Sequence, residues 1–233
     1  MSLDRIFLAL DTSDRVQAEK WARDFGGRGR IGGMKIGLQS FIAREGGFPF
    51  VETISKLTPS IFLDLKLHDI PNTMKGACKS LAQSPIKFVT FHLAAGIQAI
   101  EMIERERKES GAGFEWVGVS VLTSFSEESF QKWTHTSSGL VDISSHWIEQ
   151  ALKTGINTFV CSAVDLEVLH SRFPQAKWIV PGIRLKSDPL DDQARVMSPQ
   201  EAFDRGADFL VMGRSLTSKE PAAAIQELIT ELH

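Results

Sequence analysis

The residues best equipped for chemistry are charges set where an apolar strand should run. Residues 61–69 read Ile-Phe-Leu-Asp-Leu-Lys-Leu-His-Asp. Side chains alternate between faces along a strand, so Leu63, Leu65 and Leu67 share one face and Asp64 and Lys66 the other. An inward ammonium beside a carboxylate can stabilise negative charge developing on a substrate and then donate a proton. The plain alternative is a structural ion pair closing the top of a sheet. Lys35, in a neighbouring apolar run, and Asp69, just past the strand, weigh against it. A Lys–Asp–Lys–Asp array in one small space is expensive to desolvate unless it performs chemistry.

Such side chains need a rigid frame. Short β-rich runs recur at Ile6–Leu10, Gly33–Ile36, Ile61–Leu67, Phe88–His92, Trp116–Val121, Thr158–Cys161, Trp178–Val180 and Phe209–Met212. Amphipathic stretches follow them at Val16–Phe25, Val51–Lys56, Met74–Ala82, Ile97–Lys108, Ile143–Leu152, Leu166–Phe173, Pro199–Arg205 and Ala222–Leu232. Eight alternating units in 233 residues, about 29 each, imply parallel strands with right-handed crossovers. That spacing fits an α/β fold of the (β/α)8 TIM-barrel type, as one domain over residues 1–233. An open doubly wound sheet is the competing architecture, but its first turn often carries G-x-G-x-x-G. Here that turn is Asp11-Thr12-Ser13-Asp14, without glycine. Ser13 or Asp14 can cap the first helix and Asn72 or Thr73 the third, while Ser198-Pro199 is a cap followed by proline at the first helical position. In a TIM barrel the catalytic side chains stand at the C-terminal ends of the strands.

Composition excludes several classes. The chain carries 26 Lys and Arg against 29 Asp and Glu, a formal net charge of −3, and 42% of its residues are hydrophobic. No basic excess exists to hold a nucleic acid, and apolar runs fall far short of the ~20 residues of a membrane span. Cys78 and Cys161 are too few for a disulfide framework or a zinc cage, and no histidine has ligand spacing, so no metal site is expected. A soluble, cytoplasmic protein is expected.

Asp64-Leu65-Lys66-Leu67-His68-Asp69-Ile70-Pro71-Asn72-Thr73 closely resembles the D-x-K-x-x-D-I-P-x-T motif of orotidine 5′-phosphate decarboxylases. The resemblance extends along the chain, through Leu8-Ala9-Leu10-Asp11, Lys35-Ile36-Gly37, Val121-Leu122-Thr123-Ser124, Val160-Cys161-Ser162-Ala163, Pro181-Gly182-Ile183-Arg184, Asp192-Gln193 and Gly213-Arg214. It implies a carboxy-lyase of pyrimidine biosynthesis that removes CO2 from C6 of orotidine 5′-monophosphate without metal or cofactor. Lys66 would then be the proton donor, and Asp64 would pair with it and press on the substrate carboxylate. Lys35 and Asp69 would complete the array, and Asp11 and Lys35 suit the ribose hydroxyls. The resemblance further implies a homodimer in which Asp69 and Thr73 reach into the neighbouring subunit's site. By the same resemblance, Thr123 would meet the substrate from the loop after the fifth strand.

The phosphate end follows a logic of its own. Loops after the seventh and eighth strands hold phosphate in many such barrels. Gly213 allows close backbone approach, Arg214 offers a forked grip, and Arg184 stands on the preceding loop. Gln193, on the glycine-free stretch Leu185 to Val196, is placed to close over the phosphate. His92, at the end of the fourth strand, reads as a hydrogen-bonded barrel-end histidine. Two other readings remain to be separated. Magnesium-dependent sugar-phosphate decarboxylases and aldolases share D-x-K-x-x-D but need a further carboxylate on the second strand, where this chain has Lys35. A non-catalytic phospho-ligand barrel would keep Arg214 and have no use for Asp64, Lys66 and Asp69.

Overall fold

The computed structural model describes residues 3–27, 30–188 and 197–232. These form eight parallel strands closed into a barrel in chain order: β1 (Ile6–Ala9), β2 (Gly33–Gly37), β3 (Ile61–Leu67), β4 (Phe88–His92), β5 (Glu115–Val119), β6 (Thr158–Val160), β7 (Lys177–Pro181) and β8 (Phe209–Met212). The helices are α1 (Arg15–Gly26), α2 (Leu38–Phe41), α3 (Gly47–Ser55), α4 (Pro71–Leu81), α5 (Ile97–Glu109), α6 (Glu127–Thr134), α7 (Leu140–Thr154), α8 (Leu166–Arg172), α9 (Pro199–Asp204), α10 (Arg214–Thr217) and α11 (Pro221–Glu231). The expected (β/α)8 barrel is the fold, and the expected strands agree with the observed ones to within two residues at each end.

Two apolar layers follow from the alternation of the strands. Outward residues such as Leu8, Met34, Ile36, Leu63, Val89, Phe91 and Trp178 pack beneath the helices. Inward residues Phe7, Phe62, Phe88, Val117, Ile179 and Val211 fill the barrel. Phe7, Phe62, Phe88 and Phe209 meet edge to face at centroid separations of 5.1–6.0 Å, a preferred aromatic geometry. The Lys87 ammonium lies 4.9 Å from the Phe209 ring and 5.1 Å from Phe88, closing this floor with a cation–π contact. The lower half of the barrel is therefore filled by buried apolar side chains, and polar side chains collect in the upper half.

Helix starts split between expectation and correction. Asp14 caps α1, its Oδ1 accepting from Gln17 N at 3.1 Å. Ser198 heads α9 in a reciprocal capping box with Glu201, with Pro199 behind it. Neither Asn72 nor Thr73 caps α4. That helix begins earlier, at Pro71, with Ile70 in the cap position and no side-chain acceptor. Proline's fixed φ and missing N–H start the helix there without a cap. The stretch before α7 also holds α6, absent from the sequence reading because Phe130 is its one buried residue.

Candidate active site

β3 supplies the central charges, and its backbone is irregular where they stand. Its register with β4 runs Phe62 to Phe88 and Leu63 to Val89, then jumps to Leu67 opposite Phe91. Asp64, Leu65 and Lys66 thus face the single residue Thr90. Lys66 sits at φ 49°, in the left-handed region that side-chain-bearing residues rarely occupy and that costs about 1–3 kcal/mol. The Lys66 amide, displaced from the ladder, donates to Thr90 Oγ1 at 2.8 Å. The same hydroxyl donates to Asp64 Oδ1 at 2.9 Å. Thr90 is fully buried.

The charges form a chain across three strand ends. Lys66 Nζ donates to both oxygens of Asp64 at 2.9 Å. Lys35 Nζ, on β2, lies 3.7 Å from Asp64 Oδ2 and donates to Asp11 Oδ1 at 2.8 Å. The order is Asp11–Lys35–Asp64–Lys66, with two ammoniums and two carboxylates alternating. Burial grades along it: the Asp64 and Lys35 side chains are 12% exposed, Lys66 36% and Asp11 55%. Gly37 makes room for the chain. A Cβ there would lie 3.1 Å from Lys35 Nζ and 3.4 Å from Asp11 Oδ1.

Asp11, Lys35, Asp64, Lys66, Thr123, Arg184, Gly213 and Arg214 line one cavity of about 670 Å³ at the C-terminal mouth of the barrel. The expected site residues from six strand ends thus converge. Phe62, Val119, Val160, Ile179 and Val211 supply its apolar wall. Ser215, at the start of α10, is buried and accepts from Leu185 N at 3.0 Å, tying the loop after β7 to the end of β8. Two expected residues stand elsewhere. Asp69, between β3 and α4, and Thr73, in the first turn of α4, are exposed and do not line the cavity of their own chain; the Asp69 carboxylate accepts from Ile70 N at 2.7 Å. Within one chain the second carboxylate of the array is therefore Asp11 and not Asp69. Gln193 lies outside the described residues.

His92 borders the charges. Its Nδ1 accepts from Ala94 N at 3.2 Å, as expected of a hydrogen-bonded barrel-end histidine, and its ring stacks on His68 at 5.2 Å. Burial lowers its pKa below the ordinary histidine value, and the nearby His68 and Lys66 charges lower it further. Both cysteines are buried; burial pushes the Cys78 thiol up to about 11 and raises that of Cys161. Neither has the depressed pKa of a nucleophile. Among the described residues no group of three or more His, Cys, Asp or Glu side chains could hold a metal ion, and no helix is long and apolar enough to cross a membrane.

Thr90 is a site residue that motif reading missed, and Gly37 entered it only within Lys35-Ile36-Gly37, without a role. Alternation along Phe88–His92 puts Thr90 inward with Phe88 and His92, a signal that was available. The need for glycine at position 37 depends on where two side chains from other positions end.

A closed parallel barrel with alternating ammoniums and carboxylates at its C-terminal mouth, above an apolar floor, defines the class: a TIM-barrel enzyme built to handle charge on a small substrate. A family model described as orotidine 5′-phosphate decarboxylase / HUMPS family matches residues 4–228, and the chain belongs to that family. Proteins named orotidine 5′-phosphate decarboxylase from Prochlorococcus marinus (strain MIT 9215) and Streptococcus pyogenes serotype M3 (strain ATCC BAA-595 / MGAS315) are each 34% identical to it. The alignments cover 99% of this chain and 96% and 99% of theirs. The crystal structure of orotidine 5′-phosphate decarboxylase from Lactobacillus acidophilus superposes with a TM-score of 0.82 at 25% identity, covering 98% of both chains. An uncharacterized conserved protein from Geobacillus kaustophilus does so at 0.80 and 27%, covering 98% of this chain and all of the other.

Proposed function

We propose that this protein is a cytoplasmic, homodimeric orotidine 5′-phosphate decarboxylase that converts orotidine 5′-monophosphate to uridine 5′-monophosphate and CO2, without metal or cofactor, in pyrimidine biosynthesis. The observation that carries the reading is the Asp11–Lys35–Asp64–Lys66 chain at the mouth of the cavity. Family membership and full-length relatives of that name support it.

The chemistry follows from the charges. Breaking the bond from C6 to the carboxylate releases neutral CO2 and leaves the electron pair on a ring carbon with no obvious sink. The Lys66 ammonium stabilises that pair and then transfers a proton to C6, giving the C6–H bond of the product; solvent returns the proton to Lys66. Asp64 holds the ammonium with both oxygens and opposes the substrate's own carboxylate, which disappears in the step. Lys35 and Asp11 meet the ribose hydroxyls, while Arg214, Gly213, Arg184 and Gln193 take the phosphate. Asp69 and Thr73, exposed beside the mouth, complete the site of the partner subunit.

The magnesium-dependent alternative is disfavoured by Lys35. Its ammonium stands 3.7 Å from Asp64, where it would repel a divalent cation. The test is the loss of orotidine 5′-monophosphate absorbance on adding protein in the presence of a chelator. Turnover unchanged by the chelator is the expected result; activity recovered only with added Mg²⁺ would favour the sugar-phosphate chemistry.

A further inference from the structure

We propose that Thr90 is a positioning residue for decarboxylation: its hydroxyl couples the irregular backbone of β3 to the orientation of the Asp64 carboxylate, and so sets where the Lys66 ammonium points. The inference rests on the decarboxylase reading above.

Three observations meet at one oxygen. Three residues of β3 oppose one of β4, so the Lys66 N–H has lost its place in the strand ladder. A buried amide without an acceptor is unfavourable, and Thr90 Oγ1 accepts from it at 2.8 Å. The one hydroxyl proton is then directed to Asp64 Oδ1 at 2.9 Å. Asp64 in turn receives Lys66 Nζ on both oxygens. The path from Lys66 backbone to Thr90, to Asp64 and back to Lys66 Nζ is closed. Each member fixes the next.

A hydroxyl is suited to this place because it both accepts and donates. Valine would fill the same volume, leave the Lys66 amide without its acceptor and take from Asp64 Oδ1 one of its two donors, the other being Lys66 Nζ. The left-handed backbone at Lys66 persists only where its surroundings over-determine it, and Thr90 is the buried group that does so from across the sheet. Thr90 is fully buried and is not among the residues that line the cavity. Its effect on the reaction therefore passes through Asp64 and Lys66.

The experiment compares Thr90→Val, Thr90→Ser and Thr90→Ala with the parent, reading kcat and KM for orotidine 5′-monophosphate and the Kd of the product, uridine 5′-monophosphate. The product has no carboxylate at C6, so its binding reports the integrity of the site without the decarboxylation geometry. Thr90→Val is expected to lower kcat at least about tenfold with the product Kd within about twofold, since small misplacements of a catalytic group are felt mainly in the chemical step. Thr90→Ser, which keeps the hydroxyl, is expected to stay within about threefold of the parent. Serine and alanine differ here by the hydroxyl alone, so a Ser/Ala difference in kcat reads the same interaction if the valine variant does not fold. Equal kcat for the serine and alanine variants, or a valine variant whose kcat loss is matched by an equal loss of product affinity, would overturn the inference. Parent protein inactive on orotidine 5′-monophosphate would overturn the decarboxylase reading and this inference with it. An active parent with an unaffected Thr90→Val removes the Thr90 role alone.

Discussion

At the scale of single residues, charge type and spacing carried the chemistry. A strand buried on both faces is expected to be apolar throughout, so the opposite charges of Asp64 and Lys66, two apart on one face, stood out against the pattern. Lys66→Ala is expected to leave the barrel intact and lower decarboxylation by at least about 10³-fold, since it removes the proton donor and the partner of Asp64. Steady-state rates check this, and a variant within about tenfold of the parent would exclude Lys66 as the donor. His92 offers a test of a different kind. Its pKa is lowered in the fold, first by burial and then by His68 and Lys66, so the unfolded chain binds its proton at higher pH than the folded one does. The stability His92 contributes is therefore complete above the ordinary value near 6.5 and is lost as pH falls from there through the lower folded value. His92→Asn keeps an acceptor for Ala94 N and cannot titrate. Urea unfolding should show a stability that falls less steeply than the parent's below pH about 6.5; parallel slopes would contradict the burial argument.

Elements aim these residues, and here periodicity was informative up to the point where local geometry departs from it. β3 was readable in full, from Ile61 to Leu67, yet strict alternation hides its two-residue excess over β4. Only pairing with a neighbour reveals a bulge. On β2, Gly37 has φ −92° and ψ −179°, angles open to any residue, so Gly37→Ala tests crowding alone. The added methyl would press on Lys35 Nζ and Asp11 Oδ1. The expected outcome is a loss in kcat/KM of up to about tenfold with little change in melting temperature, because a shift of a few tenths of an ångström disturbs the charge chain more than the packing. Unchanged kcat/KM would show that the ammonium yields freely. Short elements escaped the sequence reading for a related reason. α2 and α10 have four residues each, and α6 buries Phe130 alone, which leaves no apolar repeat to detect.

For the whole molecule, the barrel gathers residues from six strand ends into one cavity and leaves Asp69 and Thr73 outside it. If those two complete a neighbour's site, each site in a dimer is composite. Mixing inactive Lys66→Ala and Asp69→Ala under conditions that exchange subunits should then restore activity. Half of randomly paired dimers are mixed and one of their two sites is intact, so the mixture should approach about one quarter of parent activity. No rise after verified exchange would show that Asp69 acts within its own chain.

The amino-acid order determined a great deal unaided: eight strand–helix units, the inward face of β3, the residues able to move a proton, and the resemblance carried by Asp64 to Thr73. Those features are local, written in spacings of two and about 3.6 residues or in short runs, and a chain keeps them whatever its partners do. Tertiary structure decided the rest. It showed which carboxylate joins Lys35, put a left-handed residue at Lys66, and brought Thr90 to Asp64 from 26 positions away. Each of these depends on distances between segments remote in sequence, set by barrel closure and strand register, and neither quantity exists until the sheet has formed.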